Sequence, residues 1–341
     1  MKKAIALGLG AVLMGLGCGS SRDLADLPPY PEAFQREWFD AQRDLAKGDF
    51  EEAYSALIRC SALEPDEPAI PFQLGKIDYD AERFSAALVH FNHALNLGSE
   101  DPWMHHYRAQ THLALGNEKD ALADILPLIE FRKGDIDYAL NWVDDCREAG
   151  MLEAGIRVCD VFETTSAKDS DVSYARLGLI GKQGDTKKIL ETLQGMVAAF
   201  PNVIEFRAYL GSLLLDLDQP WEALDALKSA EELDPYNGRV QFELGDWYLN
   251  EQNDRKAVEY YTKAFASDEV SAEEMLNVLN YYMQFIYSPT VSAPLRPLLA
   301  AALSAKPGNA EMLMMAAEVA LKDDDTAKAL ELLKRAVEHE P

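Results

Sequence analysis

The chain has 341 residues, with 58 acidic side chains against 32 basic ones, and its formal net charge of −26 argues against a nucleic-acid-binding role because such a surface repels phosphate. Its 48% hydrophobic content, with only 20 Gly and 16 Pro, excludes a disordered or collagen-like chain. The same charge favours basic partners.

The N-terminus reads first as an export segment. Lys2 and Lys3 precede an apolar run from Ala4 to Leu16, and Gly17 then stands before Cys18. The run is too short and too sharply ended for a membrane-spanning helix. It resembles a bacterial lipoprotein signal, with Leu16-Gly17-Cys18 at the processing site. That resemblance implies removal of residues 1–17, lipid attachment at Cys18 and, with Gly19 next, an outer-membrane destination facing the periplasm. An ordinary cleaved signal on a soluble periplasmic protein is the alternative. Residues 18–33 carry Pro28, Pro29 and Pro31 and read as an extended tether.

Beyond the tether a pattern of small and large residues repeats. Leu210-Gly211, Ala223, Leu227, Ala230 and Pro235 return thirty-four positions later as Leu244-Gly245, Ala257, Tyr261, Ala264 and Glu269. Each copy offers two amphipathic stretches separated by a polar turn, so each predicts a helical hairpin that must stack on a neighbour to bury its apolar face. Stepping this frame backwards predicts seven hairpins over 34–271. Small first-helix slots are filled at Gly75, Gly211 and Gly245, but by Val143 and Leu177 in the middle units, where wider helix crossings are expected. An eighth hairpin, 272–309, is out of phase, and the Pro289 to Pro294 stretch predicts a longer turn within it. A ninth covers 310–341. At that end Leu332 and Val337 are expected to face outward, so that this end docks on a partner or on a second copy of the chain.

The unit is similar to the tetratricopeptide repeat, on Gly211, Ala223, Ala230 and Pro235 in the small and helix-ending slots. The resemblance implies an all-α fold, a right-handed α-solenoid of about nine hairpins whose first helices line a concave groove. Carried onto this sequence, the groove positions are Trp38, Phe72, Tyr79, Trp103 and His106, followed by Asp144, Tyr174, Phe242, Asp246 and Asn250. Such a groove begins aromatic and becomes acidic. Aromatic anchors with carboxylates beside them suit an extended or helical segment carrying Lys or Arg. Packing between neighbouring helices is the competing role for Trp38 and Trp103.

Evidence for chemistry is thin. Five of six His lie between His90 and His112, and two adjacent helices presenting imidazoles would suit Zn²⁺. No HExxH or paired Cys/His accompanies them, and His105 and His112 occupy slots that the repeat family buries, so packing is the expectation. Cys146 and Cys159 fall on the two helices of one hairpin and are either core residues or a disulfide. No nucleotide-binding loop or nucleophile elbow is present. The sequence therefore predicts a non-enzymatic scaffold or adaptor of the bacterial cell envelope without a cofactor, which binds an envelope protein or peptide, or else a regulator of a cell-wall enzyme; a metal-dependent enzyme using the His cluster is the remaining alternative.

Overall fold

The computed structural model describes residues 30–287 and 289–339. The expected signal, Cys18 and most of the tether lie outside the described residues. Among the described residues there are eighteen α-helices and no strand. In chain order they alternate as first and second helices of the repeat: α1 (Glu32–Lys47) and α2 (Phe50–Leu63), α3 (Ala69–Asp80) and α4 (Phe84–Asn96), α5 (Pro102–Ala114) and α6 (Glu118–Phe131). Next come α7 (Ile136–Glu148) and α8 (Leu152–Thr165), α9 (Ser170–Gln183) and α10 (Thr186–Ala199), α11 (Ile204–Asp216) and α12 (Pro220–Leu233). The last are α13 (Gly238–Asn250) and α14 (Asp254–Ala264), α15 (Ala272–Met283) and α16 (Pro289–Ala305), α17 (Ala310–Lys322) and α18 (Thr326–His339).

Side-chain size explains why the hairpins close. A Cβ added to Gly75 would lie 2.6 Å from the Phe91 ring, one on Gly211 2.5 Å from Leu227, and one on Gly245 2.6 Å from the Tyr261 ring. All three pairs share one spacing, so each first-helix glycine admits the large residue of its own second helix. In α7 and α8 the sizes exchange. Val143 and Cys159 fill the corresponding slots, both buried, and Gly155 makes its close approach to α9, where a Cβ would lie 2.7 Å from Leu179 Cδ1, against an ordinary 3.5 Å from Cys146 Cβ. The larger Val143 is accompanied by looser contact between α7 and α8 than between the helices of the three preceding hairpins. Cys60, Cys146 and Cys159 are free, buried thiols, and burial pushes their pKa values up to about 11, 12 and 12.

The turns inside the hairpins follow the same period. Gly48, Glu82, Gly116, Gly150, Gly184, Asp218 and Gln252 stand thirty-four residues apart, and every one has left-handed backbone with φ between 56° and 82°. Glycine suits this conformation, and the three non-glycine residues hold it at a cost.

The chain divides into two compact units, Met1–Asp185 and Thr186–Pro341, with the boundary inside the fifth repeat. There the two slots that match a small residue to a large one elsewhere both hold leucine, Leu177 and Leu193. The first unit stacks α1 to α9, and the second stacks α10 to α18.

In the eighth hairpin α15 ends at Met283 and α16 begins at Pro289, a wider gap than the two or three residues between the helices of the other hairpins, and α16 runs for 17 residues. Pro is tolerated at a first helical position because its missing N–H would be unpaired there, although Pro294 and Pro297 each remove a bond further along. In the ninth hairpin Leu332 packs into the hairpin's own core with Leu313 and Ala336, which corrects its expected outward position, while Val337 is exposed.

Candidate partner-binding site

The sequence-predicted positions separate by unit. In the first unit, first helices α3, α5 and α7 place a contiguous set of rings side by side. Asp101 caps α5 by accepting from the Trp103 N–H at 3.0 Å, and Pro102 occupies the first turn. Asp135 does the same for the Tyr138 N–H of α7, also at 3.0 Å. These caps fix where each helix begins and therefore which side chains share a face.

Phe72 on α3 lies 5.6 Å, ring to ring, from Tyr107 on α5, and Tyr79 lies 5.9 Å from the same ring. Tyr107 continues to His106 at 5.8 Å, and His106 reaches Trp103 at 5.3 Å, Trp142 at 4.9 Å and Tyr138 at 6.3 Å. Most of these contacts are edge-on or tilted, the geometry aromatic quadrupoles favour. Trp142 is fully buried and serves as the foundation, whereas Trp103 is 52% exposed and forms the crest. Phe72, Tyr79, His106, Tyr107 and Tyr138 are half-buried between them.

Two cations punctuate the strip. Lys76 Nζ lies 5.7 Å from the Phe72 ring and 5.2 Å from the Tyr107 ring, and the Arg132 guanidinium lies 4.4 Å from the Tyr138 ring. Burial lowers the Lys76 pKa and raises those of Tyr79, Tyr107 and Tyr138. Burial, assisted by the charge of Arg132, lowers His106 to about 4, so the imidazole is neutral at pH 7. The result is a rigid, largely neutral aromatic surface.

Lys76, Tyr107, Tyr138, Trp142 and Arg132 were not among the expected positions. A signal for some of them exists, since Phe72 and Lys76 stand four apart, as do Tyr138 and Trp142, the spacing that puts side chains on one helix face. Trp38 belongs to the first hairpin, where it stacks on Phe34 at 6.0 Å and packs against that hairpin's core. Asp144 is exposed and pairs with Arg147 at 2.8 Å, and Tyr174 is 52% exposed.

In the second unit the expected groove positions fare differently. Asn250 is exposed, but Phe242 is only 8% exposed and packs on Tyr261 at 5.5 Å, so it is a core residue. Asp246 accepts a hydrogen bond from the Tyr261 hydroxyl at 2.5 Å, and desolvation raises its pKa. Neither side chain is a free binding group. The physical reason is Tyr261, which replaces the leucine of the preceding repeat and extends across the hairpin to cover both.

The histidines have separate environments. His105 Nδ1 lies 2.7 Å from Asp124, which also accepts two 2.7 Å bonds from Arg108, while His112 is buried within 3.4 Å of Asn117. Among the described residues no three His, Cys, Asp or Glu side chains are grouped to hold a metal ion.

No family model matches the sequence, and no curated protein matches it. Solved structures with a similar chain path include MamA, at 20% identity over 47% of this chain and 91% of that one, with a TM-score of 0.36. A tetratricopeptide repeat protein from Parabacteroides merdae ATCC 43184 shares 13% identity over 79% of this chain and all of its own, with a TM-score of 0.38. YrrB, described as a TPR protein with an unusual peptide-binding site, shares 19% over 62% and 92%, with a TM-score of 0.28. Likeness at this level carries nothing about what this chain binds. The hairpins themselves, with a small-to-large crossing and a left-handed turn that recur every thirty-four residues, give the described residues an all-α fold of repeated helical hairpins similar to that of tetratricopeptide-repeat proteins.

Proposed function

We propose that the protein is a non-enzymatic interaction scaffold of the bacterial cell envelope, and that the α3–α5–α7 strip of its first unit binds an extended or helical segment of a partner protein. The observation that carries this is Trp103, an exposed indole fixed at a capped helix start above a buried aromatic bed. A rigid aromatic anchor loses little conformational entropy on binding, and surrounding half-buried rings exclude water around it. The excess of acidic side chains favours a partner segment that carries Lys or Arg beside its apolar anchors. Lipid attachment at Cys18 is part of the proposal, and it places the repeats at a membrane surface.

Affinity capture from envelope extracts, comparing the full-length protein with Trp103→Ala, tests the strip. The variant should lose the captured partner while its thermal melting stays unchanged. Capture that survives in a folded Trp103→Ala protein would remove the strip from the account. Labelled palmitate incorporation that persists in Cys18→Ser would likewise contradict the anchor.

A further inference from the structure

One slot of the second helices is buried in every hairpin of the continuous thirty-four-residue frame. It runs in steps of thirty-four from Leu57 through Phe91 to Tyr261, and none of these seven side chains is more than 2% exposed. Phe91 shows what covers it. On one side lies Gly75 of its own first helix, and on the other Tyr107 of the following first helix, with ring centroids 6.0 Å apart.

In the ninth hairpin Ala317, Ala329 and the left-handed turn at Asp324 restore the frame, and they put Leu333 in this slot. Leu333 is 40% exposed. Lys334 and Val337 are exposed beside it, and among the described residues α18 packs on α17 alone. The counterpart is on α1. Phe39 stands two repeats before Tyr107, in the same first-helix slot, and is 69% exposed.

The junctions between hairpins supply the register. Where α5 packs on α4, Asn92, the residue after Phe91, accepts from Arg108, the residue after Tyr107, at 3.0 Å. Where α9 packs on α8, Asp160 and Arg176 hold the same two slots and lie 3.4 Å apart. Carried onto α18 and α1, this register sets Leu333 against Phe39 and Lys334 against Asp40. The first pair is apolar and exposed on both sides, and the second is opposite in charge. Asp40 is paired with Arg43 at 2.6 Å, but 39% of its side chain is exposed and a carboxylate accepts several donors.

We propose that the α18 face of one copy of this chain receives α1 of a second copy, with Leu333 packed on Phe39 and Lys334 paired with Asp40. A second copy is the occupant because both halves of the match, in the register of the chain's own junctions, belong to this one sequence. The two surfaces differ, so the contact is heterologous, and a pair of copies keeps one α1 and one α18 with which to add a third. The aromatic strip takes no part, so the two proposals stand or fall separately.

Zero-length carbodiimide coupling of the full chain tests this, because it joins a lysine amine to a carboxylate only where the two touch. Equal amounts of ordinary and nitrogen-15 chains are mixed, coupled and digested, and a Lys334–Asp40 link between peptides of different isotope comes from two copies. That mixed link is the expected result. Phe39→Ser and Leu333→Ser should each lower its yield at least about tenfold. Lys334→Glu or Asp40→Lys should abolish it, and the two reversals together should restore a link between the same positions. If Leu333→Ser fails to fold, Phe39→Ser decides, since that ring lies largely in solvent. The proposal is overturned if no mixed link joins these positions, if the link survives undiminished in a folded Phe39→Ser protein, or if the double reversal restores nothing.

Discussion

Positions Phe72, His106, Tyr174 and Phe242 occupy one register slot of the repeat, yet they have opposite fates in the two units. In the first unit Phe72 and His106 are half-buried members of a ring surface and Tyr174 is half exposed; in the second Phe242 is core. The next slot along repeats the lesson, because Asp144 is exposed beside Arg147 whereas Asp246 is capped by the Tyr261 hydroxyl. A slot fixes which way a side chain leaves its helix. The size and polarity of the residue across the hairpin decide whether it is surface.

The sharpest way to break the comparison is to truncate the same slot in both units. Phe242→Ala should cost about 3–5 kcal/mol, as buried aromatic truncations do, and Tyr174→Ala should stay within about 0.5 kcal/mol. Chemical denaturation of each variant checks this, and equal costs would erase the distinction between surface and core.

A smaller effect is expected at the crossings. Gly245→Ala places a Cβ 2.6 Å from the Tyr261 ring and should cost about 1–3 kcal/mol through overpacking. Gly195→Ala, on α10, meets nothing within 4 Å and should stabilise by about 0.5–1 kcal/mol, as alanine does in a helix interior. Opposite signs of the two melting shifts are the expected outcome.

Buried acids give the second unit a pH signature. Desolvation raises Glu243 from the ordinary carboxylate range to about 7, despite the 2.6 Å Arg239 pair, and raises Asp246 in the same direction. The folded state therefore holds protons that the unfolded state has released, and stability falls as pH rises from the unfolded carboxylate range through about 7. Glu243→Gln should flatten that slope in denaturation series taken across the window. An unchanged slope would mean that the carboxylate is not desolvated.

The smallest expected change is at a turn. Gln252 holds φ 57° where the third, fourth and fifth repeats have glycine, and Gln252→Gly should gain at most about 1 kcal/mol, the relief of left-handed strain less the entropy glycine loses. A loss of stability measured by thermal melting would contradict it.

Much of this was legible in the sequence, because the repeat expresses packing through residue size. Gly75, Gly211 and Gly245 announce their close crossings, and the thirty-four-residue step recovers the left-handed turns from Gly48 to Gln252. Longer-range substitutions were not legible in the same way. Nothing local to Phe242 or Asp246 reveals that Tyr261, a second-helix residue, covers them. The length of α16 was not legible, because Pro289 suggests a turn although proline also opens helices. Trp142 and Tyr107 were passed over because a slot taken one at a time does not show that rings on three successive helices touch. The division at Asp185 coincides with paired leucines, Leu177 and Leu193, a signal the sequence carries as a failure of the size pattern.

The central claim is that the α3–α5–α7 strip is the working surface, and site-specific photocrosslinking in cells tests it most directly. A benzophenone side chain placed at position 103, on the crest of the strip, is compared with one at position 89, where Val89 is still more exposed on the second helix α4. The account predicts a dominant adduct with one envelope protein from position 103 and none with that protein from position 89. The same adduct from both positions, or from position 89 alone, would contradict it.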